Sequence, residues 1–248
     1  MAKLIVAILI GRKGSAGFPG KNTALVANEP MVWWPLRAAQ ATPDIDRIYV
    51  STDDEKIESI AATFGARMIE RPAYLASDAA LGEDAFVHAY DVIESEVANT
   101  SLKVELYVLL MANAVTVSAG QISEGIRVLR SRNDLDSAVT VSSYNMWSPL
   151  RARKITPEGL LAPFVPFEVF GDPGTLNCDR DSQGDVWFAD MGVSVVRPEN
   201  LKNLDGGLLP QKWMGQRIYP IHNEAGLDVD FDYQVPQAEF WLQRNSGL

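Results

Sequence analysis

Blocks of apolar and polar positions alternate along the first 142 residues in the manner of repeated βα units. Strand-like runs fall at Leu4–Ile10, Arg47–Ser51, Arg67–Ile69, Leu106–Met111 and Ser137–Ser142. Between them the period changes to that of a helix. Asp54–Phe64 stops at Gly65, a residue suited to helix ends, and Asp53 or Asp54 is placed to cap its start. Within Glu83–Val97 the apolar residues Phe86, Tyr90, Ile93 and Val97 recur at helical spacing, and Gln121–Arg130 makes a third helix. From 143 to 186 the pattern breaks under prolines at 149, 157, 163, 166 and 173, as in an insertion or interface arm. Strand patterns return over 186–198 and 216–222, and Tyr233–Arg244 reads as a last helix with Pro236 in its first turn. The expectation is one α/β domain over 1–248 with a largely parallel sheet and an arm at 143–186.

Composition narrows the partners. A chain of 248 residues can bury a full core. Its formal net charge of −10 argues against nucleic acid and anionic membranes, since phosphate backbones reward excess Lys and Arg. No apolar stretch reaches about 18 residues, and the run at the front lacks a small-residue cleavage site, so the cytoplasm is the expected location. Cys178 is the single cysteine, which excludes an internal disulfide and a cysteine-based zinc site, and only His88 and His222 are available for imidazole chemistry. The six tryptophans, among them Trp33, Trp34 and Trp213, read as core or interface residues.

A small anion still has a place to bind. The first strand runs into "GRKGSAGFPGKN", where Gly11, Gly14, Gly17 and Gly20 free the backbone N–H groups for close approach. Arg12 and Lys21 can add charge-assisted hydrogen bonds. The turn is neither of the common nucleotide loops. A Walker A loop needs Ser or Thr after its Gly-Lys, where this chain has Asn22, and no Gly-x-Gly precedes Gly17 or Gly20 as a dinucleotide fingerprint requires. That disfavours a P-loop ATPase.

Near the other end, "LDVDFD" alternates Asp228, Asp230 and Asp232 with Leu227, Val229 and Phe231. In an extended segment this period puts the carboxylates on one face, about 7 Å apart. Two such acids beside phosphate oxygens suit Mg²⁺, or equally Mn²⁺. Asp232, just before the last helix, reads as its N-cap.

Taken together, "GRKGSAGFPGKN", "VSTDDEKI" (Val50–Ile57), "RPAYLASDAA" (Arg71–Ala80) with "HAYDVI" after it, and "LDVDFDYQVPQAE" (Leu227–Glu239) resemble, in order, the signatures of the acylneuraminate cytidylyltransferases, the CMP-sugar-acid synthetases. The resemblance implies a three-layer α/β/α nucleotidyltransferase, Rossmann-like, with a mostly parallel sheet and residues 143–186 as a dimerisation arm. It implies that the turn holds the triphosphate of CTP through Gly11, Arg12, Gly14, Ser15 and Lys21, with Asn22 and Arg71 also at the nucleotide, and a catalytic metal on Asp228 and Asp230. Arg12, Lys21 and Asp230 are then the catalytic residues, a sugar acid is the second substrate, and a homodimer is expected. Arg151, Arg153 and Lys154 in "PLRARKI" are candidates for the sugar carboxylate.

The chain departs from the family at "LLMANAVTV" (Leu109–Val117), where the family reads L-L-Q-P-T-S-P-L-R: Met111 stands for the Gln of the sugar and nucleotide pocket, and Asn113 is the one side-chain amide left there for substrate. The loop also carries Lys13 where the family has Gly, and Ala16 where it has Lys. Alternative readings are a related enzyme acting on 3-deoxy-manno-octulosonate or a sugar phosphate, and a non-catalytic nucleotide-binding homologue.

Overall fold

The fold is that of a computed structural model in which residues 1–14, 17–77 and 79–245 are described. In chain order the strands are β1 (Ala2–Ile10), the hairpin pair β2 (Leu25–Val26) and β3 (Glu29–Pro30), β4 (Arg47–Thr52), β5 (Arg67–Glu70), β6 (Leu102–Met111), β7 (Ser137–Ser143), the pair β8 (Arg153–Ile155) and β9 (Leu161–Pro163), β10 (Trp187–Val196) and β11 (Ile218–His222). The helices are α1 (Trp33–Gln40), α2 (Glu55–Thr63), α3 (Gly82–Val97), α4 (Ala119–Ser131), the short α5 (Pro198–Lys202) and α6 (Val235–Asn245).

Seven strands form one sheet in the order β11-β7-β10-β6-β1-β4-β5. The pairs β1–β4, β1–β6, β4–β5 and β7–β11 are parallel, whereas β10 runs antiparallel to both β6 and β7. The continuous apolar run of β1 serves both faces. Ile5, Ala7 and Leu9 pack with residues of α1, α2 and α4, while Leu4, Val6, Ile8 and Ile10 pack with Phe86, Tyr90 and Ile93 of α3. Helices therefore cover the sheet on both sides, giving the expected three layers. Pro220 is accommodated because β11 is an edge strand, where a missing N–H goes unused. Among the described residues no helix is long and apolar enough to cross a membrane.

Local chemistry sets the helix starts. Asp54, not Asp53, caps α2 by accepting the Lys56 N–H at 2.9 Å. Ser118 and Gln121 form a reciprocal capping box on α4, at 3.3 and 2.9 Å. Asp232 is not the N-cap of the last helix. It opens a 3-10 turn, Asp232–Gln234, that precedes α6, and the side-chain Oε1 of Gln234 accepts the N–H groups of Asp230 and Phe231 at 2.7 and 2.9 Å.

Besides the short α5 and the β8–β9 pair, two elements have no counterpart in the sequence pattern. The helix α1 carries Pro35 in its first turn, and the β2–β3 hairpin turns on Ala27 and Asn28, both at positive φ (51° and 68°). Together with α6 they enclose a third apolar cluster, apart from the two on the sheet faces: Val26, Met31, Trp34, Val115, Val229, Ala238 and Leu242. The Trp34 indole donates to the Val26 carbonyl at 3.2 Å, and Glu239 of α6 accepts the Ala27 N–H at 3.0 Å.

The arm leaves the end of β7 and returns into β10. It is built of 3-10 turns and the β8–β9 hairpin, and it leaves Trp147, Ile155, Leu161, Phe164 and Val169 exposed.

Candidate active site

The cleft forms where the C-terminal ends of β1 and β6 meet the opening turn. At Gly11 a side chain would bring its Cβ within 2.8 Å of the Ala112 Cβ, so glycine lets the first turn leave the sheet against the end of β6. The Asn22 amide holds the turn by donating to the Arg12 carbonyl at 3.0 Å, and Asp53 accepts the Lys13 N–H at 2.8 Å. Gly20 adopts φ of 72°, a left-handed conformation that leads into the 3-10 turn Lys21–Thr23. A Cβ at Gly14 would meet nothing within 4 Å, which leaves that backbone open to a ligand. Ser15, expected at the phosphates, lies outside the described residues.

The acidic segment arrives from the opposite end of the chain. Asp228 makes a single antiparallel bridge with Ala114, and the Val229 N–H donates to the Asn113 carbonyl at 3.4 Å. Val229 is fully buried in the third cluster, so the period-2 alternation turns its neighbours Asp228 and Asp230 away from that cluster. The segment 227–232, read from its period 2 as it would lie if extended, makes this one bridge, and Asp232 does not join the pair.

The two ends of the chain meet in direct contact. Lys21 Nζ makes an ion pair with Asp230 Oδ1, the lysine side chain being only 15 % exposed. Gly17 closes against the same segment: a Cβ there would lie 3.0 Å from the Asp230 carbonyl oxygen and 3.2 Å from the Phe231 ring. Asn113 does not present its amide to the open cleft, as expected for a substrate contact. Its Nδ2 donates to Asp228 Oδ1 and, at 3.2 Å, to the Val229 carbonyl, because the bridge at Ala114 brings the acidic segment directly over it.

Electrostatics mark Asp228. Desolvation by the surrounding protein atoms, and then the like charge of Asp230, push its carboxyl up to about 6, against the lowering effects of Lys21 and Asn113. Solvent still reaches the side chain. Across the turn, Arg71 is buried and donates to the Ser51 carbonyl at 2.6 Å and to the Ser51 hydroxyl at 3.3 Å. Desolvation lowers its guanidinium to about 10, opposed by the charge of Asp53 and aided by that of Arg12, so it stays cationic at neutral pH. Arg12 reaches the same side, Nη1 lying 3.4 Å from the Ala76 carbonyl oxygen.

The three basic residues of the arm do not join this cleft within one chain. Arg151 donates to the Cys178 carbonyl at 2.8 Å, Arg153 donates to Leu150 and Ala152 carbonyls and lies over the Phe167 ring, and Lys154 is exposed on β8. Arg151 and Arg153 line a separate cavity of about 380 Å³ within the arm, which its 3-10 turns fold back upon itself.

Sequence reasoning overlooked Asp190 and Asn223, buried polar residues that hydrogen-bond to each other near the cleft. The one trace of them in the sequence is a charge inside an otherwise apolar strand run, "VWFADMGVSVV".

A family model described as Cytidylyltransferase matches residues 6–133. Across 95 % of its length the chain is 25 % identical to the N-acylneuraminate cytidylyltransferase of Oncorhynchus mykiss, of which it covers 49 %. Over 69 residues, 27 % of each chain, it is 38 % identical to the 3-deoxy-manno-octulosonate cytidylyltransferase of Maricaulis maris (strain MCS10). The chain thus spans about half or less of these curated relatives. In structure it matches a CMP:2-keto-3-deoxy-manno-octonic acid synthetase complexed with CTP, with a TM-score of 0.66 over 97 % of this chain and 99 % of the other at 15 % identity, a likeness of fold.

Proposed function

This chain belongs to the cytidylyltransferase family, and from that premise we propose that it transfers CMP from CTP to a nonulosonic, sialic-acid-like sugar acid with release of pyrophosphate. The observation that carries the reading is the meeting of the opening turn with the acidic segment, through Lys21 on Asp230 and Gly17 against its backbone. In the proposed reaction the anomeric hydroxyl of the sugar acid attacks the α-phosphorus in line. A new O–P bond forms as the bond to the bridging oxygen of pyrophosphate breaks, and the hydroxyl proton leaves to solvent.

The chain's own groups position the reactants and meet the charge that develops. Gly14 presents open backbone to the triphosphate, while the Gly11 N–H, expected there too, is held by the Ser51 carbonyl at 3.2 Å and Gly11 serves by its lack of a side chain. Arg12 and Lys21 stabilise the departing pyrophosphate. Arg71, cationic and buried, holds the nucleotide side, and Asn22 fixes the turn.

A divalent cation fits the acidic segment. Two carboxylates flank one buried valine, and their mutual repulsion contributes to the raised proton affinity of Asp228, which an ion would relieve. Asp228 and Asp230 would hold Mg²⁺ or Mn²⁺, which when bound supplies charge neutralisation at phosphate oxygens. The arm at 143–186, with its exposed apolar side chains, is read as the dimer contact.

A second reading keeps the chemistry and changes the acceptor to 3-deoxy-manno-octulosonate, favoured by the relative and the structural match that carry that sugar in their names. Against it stands the G-S-x-G element of the opening turn, which that group typically lacks. Pyrophosphate release, assayed with CTP, UTP, ATP and GTP against a panel of sugar acids, separates these. Release with CTP and a nonulosonic acid is expected. Measurable CTP binding with no release from any pair would replace the enzyme by a non-catalytic homologue.

A further inference from the structure

Asp190 lies 9 % exposed in β10, at the point where the pairing with β7 slips register between Ala189 and Ser194. The slip is a bulge in which Met191 takes φ of 57°, an uncommon conformation for a side-chain-bearing residue. The Asp190 carboxylate organises it. Oδ1 accepts the Gly192 N–H at 3.0 Å and the Thr140 hydroxyl, while Oδ2 accepts the Ser142 hydroxyl at 2.6 Å and the Asn223 amide at 2.9 Å. All four donors are neutral, and together they satisfy both oxygens of a buried carboxylate.

Two of these donors lead to the acidic pair. Asn223 accepts the Ala225 N–H at 3.3 Å through its other amide atom, and the Ser142 oxygen accepts the Gly226 N–H at 2.9 Å. At Gly226 a Cβ would fall 2.3 Å from the Asp190 side chain, so the carboxylate fills the space a residue with a side chain would need. Two residues further on stands Asp228. The strand end of β11, the bulge of β10 and the segment 223–228 are thus fastened to one group.

We infer that Asp190 is the positioning residue of the acidic pair, its carboxylate fixing through Asn223 and Ser142 where the segment leaves the sheet and hence where Asp228 presents its oxygens. The inference rests on the function proposed above. Asp190 itself touches no reacting atom in that scheme.

An exchange of the two partners tests it. In Asp190→Asn one amide N–H₂ faces donors whichever way it turns: Gly192 N–H and Thr140 on one side, Asn223 on the other. The double change Asp190→Asn with Asn223→Asp restores a donor opposite an acceptor and leaves an oxygen for Ala225. Expected for Asp190→Asn is a kcat about tenfold or more below wild type with the KM for CTP within about threefold, as when reacting groups are displaced rather than lost. Its thermal shift with CTP alone should persist, while the added shift from MgCl₂ with CTP shrinks. The exchanged pair should recover most of both. Asn223→Ala, which leaves the bulge's own hydrogen bonds in place, carries the same expectation should Asp190→Asn fail to fold.

Wild-type kcat and wild-type MgCl₂ response in Asp190→Asn overturn the inference. So does an exchanged pair that melts like wild type yet stays as impaired as the single variant. A wild-type protein with no response to CTP in any assay defeats instead the function on which it rests.

Discussion

Lys21 and Asp230 neutralise each other across the cleft, so each is poised for a partner that displaces the other: phosphate oxygens for the lysine, a cation for the acid. Lys21→Ala should therefore lower kcat by about 10²–10³-fold, the scale of removing one donor aimed at developing charge. Single-turnover measurement at saturating CTP checks it. Asp228 makes a second prediction with a definite sign. Its folded-state carboxyl, at about 6, lies above the unfolded value, so the native state binds the extra proton between the two. That contribution to stability is fully present below the unfolded carboxylate range, about 4, and is lost as pH rises through about 6. Without nucleotide or metal, Asp228→Asn should then melt higher than wild type at pH 8 and show no such advantage at pH 4. A melting series across that range decides it, and a wild-type advantage at pH 8 would contradict the reading.

At the scale of elements, glycines act where two segments touch. Gly17→Ala pushes a Cβ against the Asp230 carbonyl, which backbone cannot easily yield, whereas Gly14→Ala meets open space. The first should impair CTP-dependent thermal stabilisation severalfold more than its own effect on the apo melting temperature. The second should leave apo stability unchanged, within about 0.5 kcal/mol for an uncrowded surface site. The sequence makes the sites of these contacts legible only in part. The run Leu4–Ile10, the glycine-rich turn and the alternation of Asp228 and Asp230 are all visible, because burial on two faces and period 2 leave plain marks. The antiparallel direction of β10 leaves none, since a strand buried on both sides reads alike in either direction. Asp190 is hidden for a related reason: a buried carboxylate satisfied by distant hydroxyls and amides has no local spacing. Asn113 misleads because its pairing with Asp228 joins residues 115 positions apart. The hairpin at Ala27 escapes because Ala is a poor residue for its positive φ, held there by packing rather than by turn chemistry.

Over the whole molecule, the arm concentrates exposed apolar surface that the rest of the chain largely buries. Trp147, Ile155, Phe164 and Val169 stand on it, while Arg151 and Arg153 are engaged inside it. If the arm is the contact between two copies, sedimentation should give a dimer that the paired changes Trp147→Asp and Val169→Asp convert to monomer, with the far-ultraviolet dichroism unchanged. A monomer in the wild type at micromolar concentration would remove that role. The third apolar cluster has a different bearing on the molecule. It is small, it lies off the sheet, and through Val229 it packs the backbone between the two acids, beside the bridge at Ala114. Modest warming can therefore release α6 and the β2–β3 hairpin while the seven strands stay paired. Heat should then extinguish catalysis several degrees before the ellipticity collapses, and cooling should bring it back.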